Sequence, residues 1–307
     1  MTAASETRES KPAIPGIAFG LSMMVLSVLI APLIDLFSKL ATETLPTLEI
    51  TTLRFPLQIA CMLPVLAIRG TWPRPTWANT KLHILRGGML FLSMMSFVAA
   101  LRYMALADAV AIFFVEPIML TILSSIFLKE KIGWRRYSAC SVGFLGALLV
   151  IQPSFRDVGL VALLPVVTAF ALAVFSILTR LLSHRQDAFV MQVETCFWGL
   201  VFSSIALAVS GLSGETVLVW PDAHGLLWLL GTGLASAVSG LLGVYAYRSA
   251  PASTLAPLQY LEIVTATLLG WLVFGQLPDA VKWLGITIII GSGLYIIWRE
   301  RRNTKGH

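Results

Sequence analysis

Charge is what this sequence has least of. Lys, Arg, Asp and Glu make up 12% of its 307 residues, about half the roughly 25% of an ordinary soluble domain. That leaves too little polar surface to clothe a soluble globule of this size and excludes one. Cysteine is scarce as well. Cys61, Cys140 and Cys196 all fall in apolar stretches, at spacings that suit neither a zinc site nor a disulfide framework, and read as small packing residues. The four histidines, His83, His184, His224 and His307, fall at the edges of apolar stretches, in loops or in the tail. No Walker A pattern, HExxH pair or nucleophile elbow occurs, so ATP hydrolysis and hydrolase chemistry have no residues to carry them. No enzyme, cofactor or metal is expected. The net charge of +6 sits in loops and ends, which makes it a topology signal and not a nucleic-acid footprint.

What is abundant is hydrocarbon: 57% of the residues are hydrophobic and the mean hydropathy is +0.83. The chain reads as an all-α integral membrane protein. One bilayer crossing takes about 20 apolar residues, and ten such windows can be drawn, at 16–38, 47–68, 83–103, 107–128, 134–152, 158–180, 188–211, 225–246, 253–274 and 281–299. The connections are too short for a soluble domain. Residues 1–15 are polar, so no cleavable signal is expected and the first crossing acts as the insertion signal. Cation asymmetry orients the chain. With the N-terminus in the cytoplasm, 17 of the 22 Lys and Arg residues lie inside, Arg69, Arg74, Lys81, Arg86, Arg180 and Arg248 among them. Only Lys39, Arg102, Arg156 and Lys282 lie outside, and Arg54 falls within a crossing. Both termini are then cytoplasmic, which fits an even number of crossings.

The chain repeats itself weakly. A shift of 146 residues lays Val98–Glu130 on Val244–Gln276 and matches Arg102 with Arg248 and Glu116 with Glu262. Five crossings per half is an odd number, so the halves would lie in the membrane with opposite orientation. Inverted repeats with a site between them near the midplane are a recurring plan for secondary transporters. The expected division is a tail at 1–15, repeats at 16–152 and 158–299, and a tail at 300–307. Small residues at helix-packing spacing (Gly16 and Gly20; Ala139, Gly143 and Ala147; Ser236, Gly240 and Val244) read as close contacts between helices.

Ionisable residues within apolar windows are the natural site candidates. Glu116, followed by Pro117, and Glu262 come first. Glu262 shares a helical face with Gln259, and Glu116 shares one with Phe113. In one reading both carboxylates line a central cavity, binding a cationic group or exchanging a proton. In the other each accepts hydrogen bonds from neighbouring helices and fixes the packing. Arg54 is either an anchor for a substrate carboxylate or phosphate or a structural residue paired with Glu194 or Asp35. Glu194 occupies a comparable place in the seventh window. Asp35, three residues after Pro32, reads as a terminal residue at the outer interface. Phe113, Tyr260 and other aromatics at similar levels offer faces for a planar solute, a weak signal because aromatics are common in membrane helices.

The stretch from Ala107 to Ser154 resembles the fourth and fifth helices of the drug/metabolite transporter superfamily, in its ten-helix EamA-type subgroup. The resemblance is carried by Glu116-Pro117, by Phe127-Leu128-x-Glu130, and by Gly143-x-x-Gly146 followed by Leu148-Leu149-Val150-Ile151. The second half departs from the pattern, with Ile263 in place of the proline and Gln276 in place of the glutamate. The resemblance implies two inverted five-helix repeats, a central cavity and alternating access for small organic solutes such as amino acids or vitamins. It brings a riboflavin-like solute into view, an exporter of amino acids or drugs as the neighbouring possibility, and protons as a candidate coupling ion. A non-transporting structural subunit would tolerate neutral replacements of Glu116 and Glu262. The implied partners are a small-molecule solute and the lipid bilayer.

Overall fold

A computed structural model describes residues 16–73, 76–101, 103, 106–152, 159–213, 219–274 and 279–305. Their regular structure is helical throughout. The first half contains α1 (Ile17–Ala41), α2 (Thr47–Arg69), α3 (Trp77–Leu101), α4 (Leu106–Phe113), α5 (Glu116–Phe127) and α6 (Trp134–Ile151). The second contains α7 (Leu163–Ser183), α8 (Ala188–Leu212), α9 (Ala223–Ser249), α10 (Ala252–Leu255), a 3-10 segment (Ala256–Tyr260), α11 (Leu261–Phe274) and α12 (Ala280–Lys305). Ten crossings result, because α4 with α5, and α10 with the 3-10 segment and α11, each make one. Among the described residues, 8 stretches are long and apolar enough to span by length and composition, with the α10–α11 crossing counted among them. The remaining crossings are α4–α5, and α6, which opens on Trp134-Arg135-Arg136.

The fourth and ninth windows are therefore not continuous helices. Helix α4 stops at Phe113 and α5 starts afresh at Glu116, with Pro117 in its first turn. Proline lacks the N–H that an uninterrupted helix needs, but suits the first turn of a new one. In the second half the 3-10 segment, with Pro257 in its own first turn, takes the place of the break. Helices beginning at 17, 77, 106 and 134 are followed 146 residues later by helices beginning at 163, 223, 252 and 280. The repeat thus extends well beyond the stretch where residues match.

The two halves are inverted and interlocked. Helix α1 packs on α9 as α7 packs on α3, and α5 packs on α7 as α11 packs on α1. Likewise α3 meets α8 as α9 meets α2, while α2–α8 and α6–α12 pair with their own counterparts. Exchanging the halves maps each pairing onto another or onto itself. Each of these interfaces joins one half to the other, so neither half buries its helix faces alone. Small residues permit the approach. A Cβ on Gly20 would stand 2.8 Å from the Cβ of Ala250, and one on Gly285 would stand 2.7 Å from the carbonyl oxygen of Gly146. The other small-residue sets serve differently: Gly16 has nothing near it, Gly143 faces a ring, and Gly240 faces the Gln192 amide.

Two cations counted on the cytoplasmic side by sequence lie within helices and bond to their neighbours. Arg86 lies inside α3 and is 1% exposed. Its Nε donates to Thr179 Oγ1 at 2.9 Å, Nη1 to Thr195 Oγ1 and to the Met191 carbonyl, and Nη2 to Gln192 Oε1 at 3.1 Å. Its guanidinium also stands 4.4 Å from the Phe175 ring centroid. Arg180 closes the last turn of α7 and donates to the carbonyls of Tyr247 and Arg248. In each case carbonyl or side-chain oxygens of neighbouring helices replace water as the guanidinium's partners.

Candidate functional site

The two interruptions meet. Tyr260, last residue of the 3-10 segment, donates its hydroxyl to the Phe114 carbonyl at 3.2 Å, and the two rings stand 6.0 Å apart. These residues are 146 apart, so they are equivalents under the repeat. A contact between equivalents lies on the axis that relates the halves. Gly143 of α6 leaves room for the Tyr260 ring, since a Cβ there would stand 2.5 Å from Cδ2.

Glu116 opens α5 directly beside this junction. It is 2% exposed and its Oε1 has no hydrogen-bond partner. Gln259 of the 3-10 segment is the side chain that interacts with its carboxyl. The Gln259 amide also reaches the Tyr247 hydroxyl at 3.4 Å, while its Oε1 has no partner. A buried polar group without a partner costs about 1–3 kcal/mol. Two unpartnered oxygens, one from each half and carried by side chains that interact with each other, lie beside the axis where a donor group would satisfy them.

A second set of charges converges from α1, α2 and α11. Glu262 lies within electrostatic reach of both Asp35 and Glu116, and Asp35 within reach of Arg54. Arg54 is buried. It donates Nη2 to the Met94 sulfur at 3.0 Å, and its Nε has no partner. Among the described residues no carboxylate stands at ion-pairing distance from it. Asp35 is exposed and Glu262 half-buried. Asp35, which the sequence reads as a terminal residue, lies within α1, which runs on to Ala41, and is within electrostatic reach of Arg54 and Glu262.

Of the residues singled out by sequence, Glu116, Gln259 and Tyr260 gather at the axis, and Glu262 and Arg54 join them through Asp35. Phe113 stands edge-on to Phe97 at 5.9 Å and to Phe114 at 5.3 Å. Glu194 goes elsewhere. Its Oε2 stands 2.7 Å from Nε2 of His83, and its Oε1 has no partner. Of the two partners considered for Arg54, Glu194 pairs instead with His83. That histidine lies fully buried within α3, also bonded to Gln186 at 2.6 Å. Arg102, matched with Arg248 by the repeat, lies outside the described residues. Sequence reasoning weighed Asp35 only as a partner for Arg54 or a terminal residue, counted Tyr247 merely among the aromatics, and missed His83 as the partner of Glu194. No group of three or more His, Cys, Asp or Glu residues able to hold a metal ion occurs among the described residues.

Comparison with known proteins agrees with this architecture. The chain is 28% identical to a riboflavin transporter of Vibrio cholerae over 85% of its length and 86% of that protein's. It is 27% identical to an S-adenosylmethionine uptake transporter of Rickettsia bellii over 93% of this chain and 95% of that one. A second riboflavin transporter, from Rhizobium johnstonii, is 29% identical over 82% of this chain and 79% of its own. A crystal structure only 17% identical superposes with a TM-score of 0.80, covering 92% of this chain and 98% of that one, which speaks for the fold alone. The model of the EamA-like transporter family matches residues 18–152 and again 159–298. With both halves matched and the helix breaks meeting on the axis between them, this chain belongs to the EamA-like transporter family.

Proposed function

We propose that the protein is a secondary carrier that moves a small organic metabolite across a bacterial inner membrane by alternating access. Both termini are cytoplasmic, and residues 16–152 and 158–299 are the two repeats. The solute binds where the helix breaks meet, against Glu116, Gln259, Phe113 and Tyr260, with Glu262 and Arg54 one step away. The observation that carries this reading is the pair of unpartnered oxygens on Glu116 and Gln259 beside the Tyr260–Phe114 contact. An unsatisfied carboxyl in a membrane interior is expensive, and a bound donor removes that cost only while it is bound. Glu194, tied to His83, supports the walls of the site from α8. Protons are the proposed coupling ion, taken up by Glu116 and Glu262 when the solute leaves.

Two solute classes are in view. The Phe97–Phe113–Phe114 ring cluster offers faces to a planar ring and favours a riboflavin-like vitamin. Asp35, Glu116 and Glu262 against the single Arg54 favour an amino-acid-type solute carrying a cation as well as a carboxylate. S-adenosylmethionine, named for several relatives, is such a molecule and has a planar base too. The charge balance outweighs the rings, because riboflavin carries no charge for three carboxylates to meet, and we place the amino-acid-type solute first.

Thermal shift of the purified protein tests this against S-adenosylmethionine, riboflavin, and basic and aromatic amino acids. The expected result is stabilisation by a cationic amino-acid-type ligand that Glu116→Gln abolishes and Arg54→Gln weakens, with both variants still inserted and monodisperse. Stabilisation by riboflavin alone would reverse the order of the two classes. A ligand whose effect survives both substitutions would remove the site from the axis.

A further inference from the structure

One sequence feature plays no part in solute binding: the Glu130 that ends Phe127-Leu128-x-Glu130. Helix α5 ends at Phe127. Lys129 then adopts a left-handed backbone with φ of 53°, and the Glu130 N–H turns back to the Ser124 carbonyl at 3.3 Å. The Glu130 side chain leaves its own half. Oε1 accepts from the Ala252 N–H at 3.0 Å, and Oε2 accepts from the Ser253 N–H at 3.1 Å and the Ser253 hydroxyl at 2.6 Å. Arg136 Nη1 donates to the same hydroxyl at 2.9 Å, and Arg180 Nε lies 4.0 Å from Glu130 Oε1. One carboxylate thereby ties the end of the fourth crossing to the start of the ninth. Six residues further along, that ninth crossing presents Gln259 to Glu116.

The two ends of the molecule differ in packing. Toward Glu130, Ala252 to Leu258 are all buried, and so is the α5 face of Glu116, Pro117, Leu120, Thr121 and Ser124. Leu21, Met24, Val28, Ile177 and Tyr247 close over them in one apolar cluster. The repeat counterpart of α5 is α11, and among its described residues only Ile263 is buried. The halves are related by symmetry, but the other described residues of α11 are half-buried or exposed where one face of α5 is packed shut. The sequence shows a matching asymmetry. The shift of 146 residues puts Gln276 opposite Glu130 and Ile34 opposite Arg180. The carboxylate and its guanidinium are supplied at one end only.

We propose that Glu130 is the gate residue of the carrier: its hydrogen bonds to Ala252 and Ser253 hold the Glu130 end closed, and their release opens the central site toward that end. This rests on the alternating-access reading above, but its test needs no solute and so fails independently. Charge-assisted hydrogen bonds are about twice as strong as neutral ones, and a gate made of a few of them has two discrete states. Replacing one carboxylate oxygen by an amide group sets N–H against N–H and favours the open state.

Thr254, fully buried and with its hydroxyl unpartnered, reports on the gate once it is replaced by cysteine. The test uses full-length protein in detergent with Cys61, Cys140 and Cys196 changed to alanine, and it follows modification by 2-sulfonatoethyl methanethiosulfonate. Thr254→Cys is expected to react slowly alone, about tenfold faster with Glu130→Gln, and severalfold faster with the milder Ser253→Ala, in line with loss of charge-assisted hydrogen bonds from the closed state. Ser203→Cys, a buried position on α8, serves as the control and should not change. Equal rates at Thr254→Cys in parent and both variants would refute the gate. So would faster reaction at both reporter positions, which means general loosening. If Glu130→Gln does not yield monodisperse protein, Ser253→Ala decides, and loss of folded protein in both marks Glu130 as a structural tie and overturns the proposal.

Discussion

Arg86 gives the most direct test of the packing described here. Its guanidinium satisfies Thr179, Thr195, Gln192 and the Met191 carbonyl, on two helices of the other half. Thr179, Thr195 and Gln192 are 2%, 1% and 4% exposed, so water does not reach them when the donors go. Arg86→Gln removes the charge and most of the fork, leaving two or three buried acceptors short of a partner. At about 1–3 kcal/mol for each, with partial relaxation, the loss is about 3–5 kcal/mol. Spread over a protein of this size, at roughly 2–4 °C per kcal/mol, that lowers the apparent melting temperature by about 10 °C. Arg86→Lys keeps a charge but has one nitrogen for acceptors that lie around a planar fork, and should fall about midway. The assay is thermal unfolding of monodisperse protein in detergent, read by tryptophan fluorescence. If Arg86→Gln melts within about 2 °C of the parent, the residue faces water or headgroups as a loop cation would, and its buried network is wrong.

Two further outcomes follow from single contacts. Gly143→Ala places a methyl 2.5 Å from the Tyr260 ring, which is fully buried and held by its hydroxyl. Overpacking of this kind costs about 1–3 kcal/mol, so the variant should melt lower, and adding Tyr260→Leu should restore most of the loss; an unchanged melting temperature in Gly143→Ala would mean the ring is free to move. His184 follows the last turn of α7, and burial first, then the guanidiniums of Arg180 and Arg248, hold its imidazole below the ordinary histidine range. A depressed imidazole binds fewer protons folded than unfolded, so this contribution is complete above the unfolded value of 6.5 and is lost as pH falls through and below it. Melting temperature should therefore drop between pH 7.5 and 5.5 by more in the parent than in His184→Gln, and equal drops would remove the effect from this residue.

The helix breaks were half legible. Pro117 beside Glu116 marked one of them, but the hydropathy windows ran through both. Window averages add up side chains and ignore the hydrogen-bond ladder that Phe114 and Val115 interrupt. Glu116 and Glu262 stood out because an ionisable residue in an apolar window is rare whatever surrounds it. The same rule pointed to Arg54 and Glu194, and there it could not choose partners. Arg54 ends beside a methionine sulfur, and Glu194 beside a histidine 111 positions away.

By itself the sequence determined that the chain lies in a bilayer, that it crosses ten times, that its halves are inverted copies, and which family it joins. All of these depend on local sums or on one stretch compared with another: hydropathy over about 20 residues, charge on loops, a repeat at 146 residues. Only the tertiary structure decided what each polar side chain meets. Arg86 and His83 sit in the crossing but close to its edge, where composition cannot separate a loop cation from a buried donor. Their burial comes from α7 and α8 closing over α3, and the reach of Glu130 to Ala252 and Ser253 comes from the inverted docking of the halves. A polar group's role in a membrane protein depends on whether water, lipid or another helix faces it. That choice is made between helices far apart in the chain, by which faces pack together.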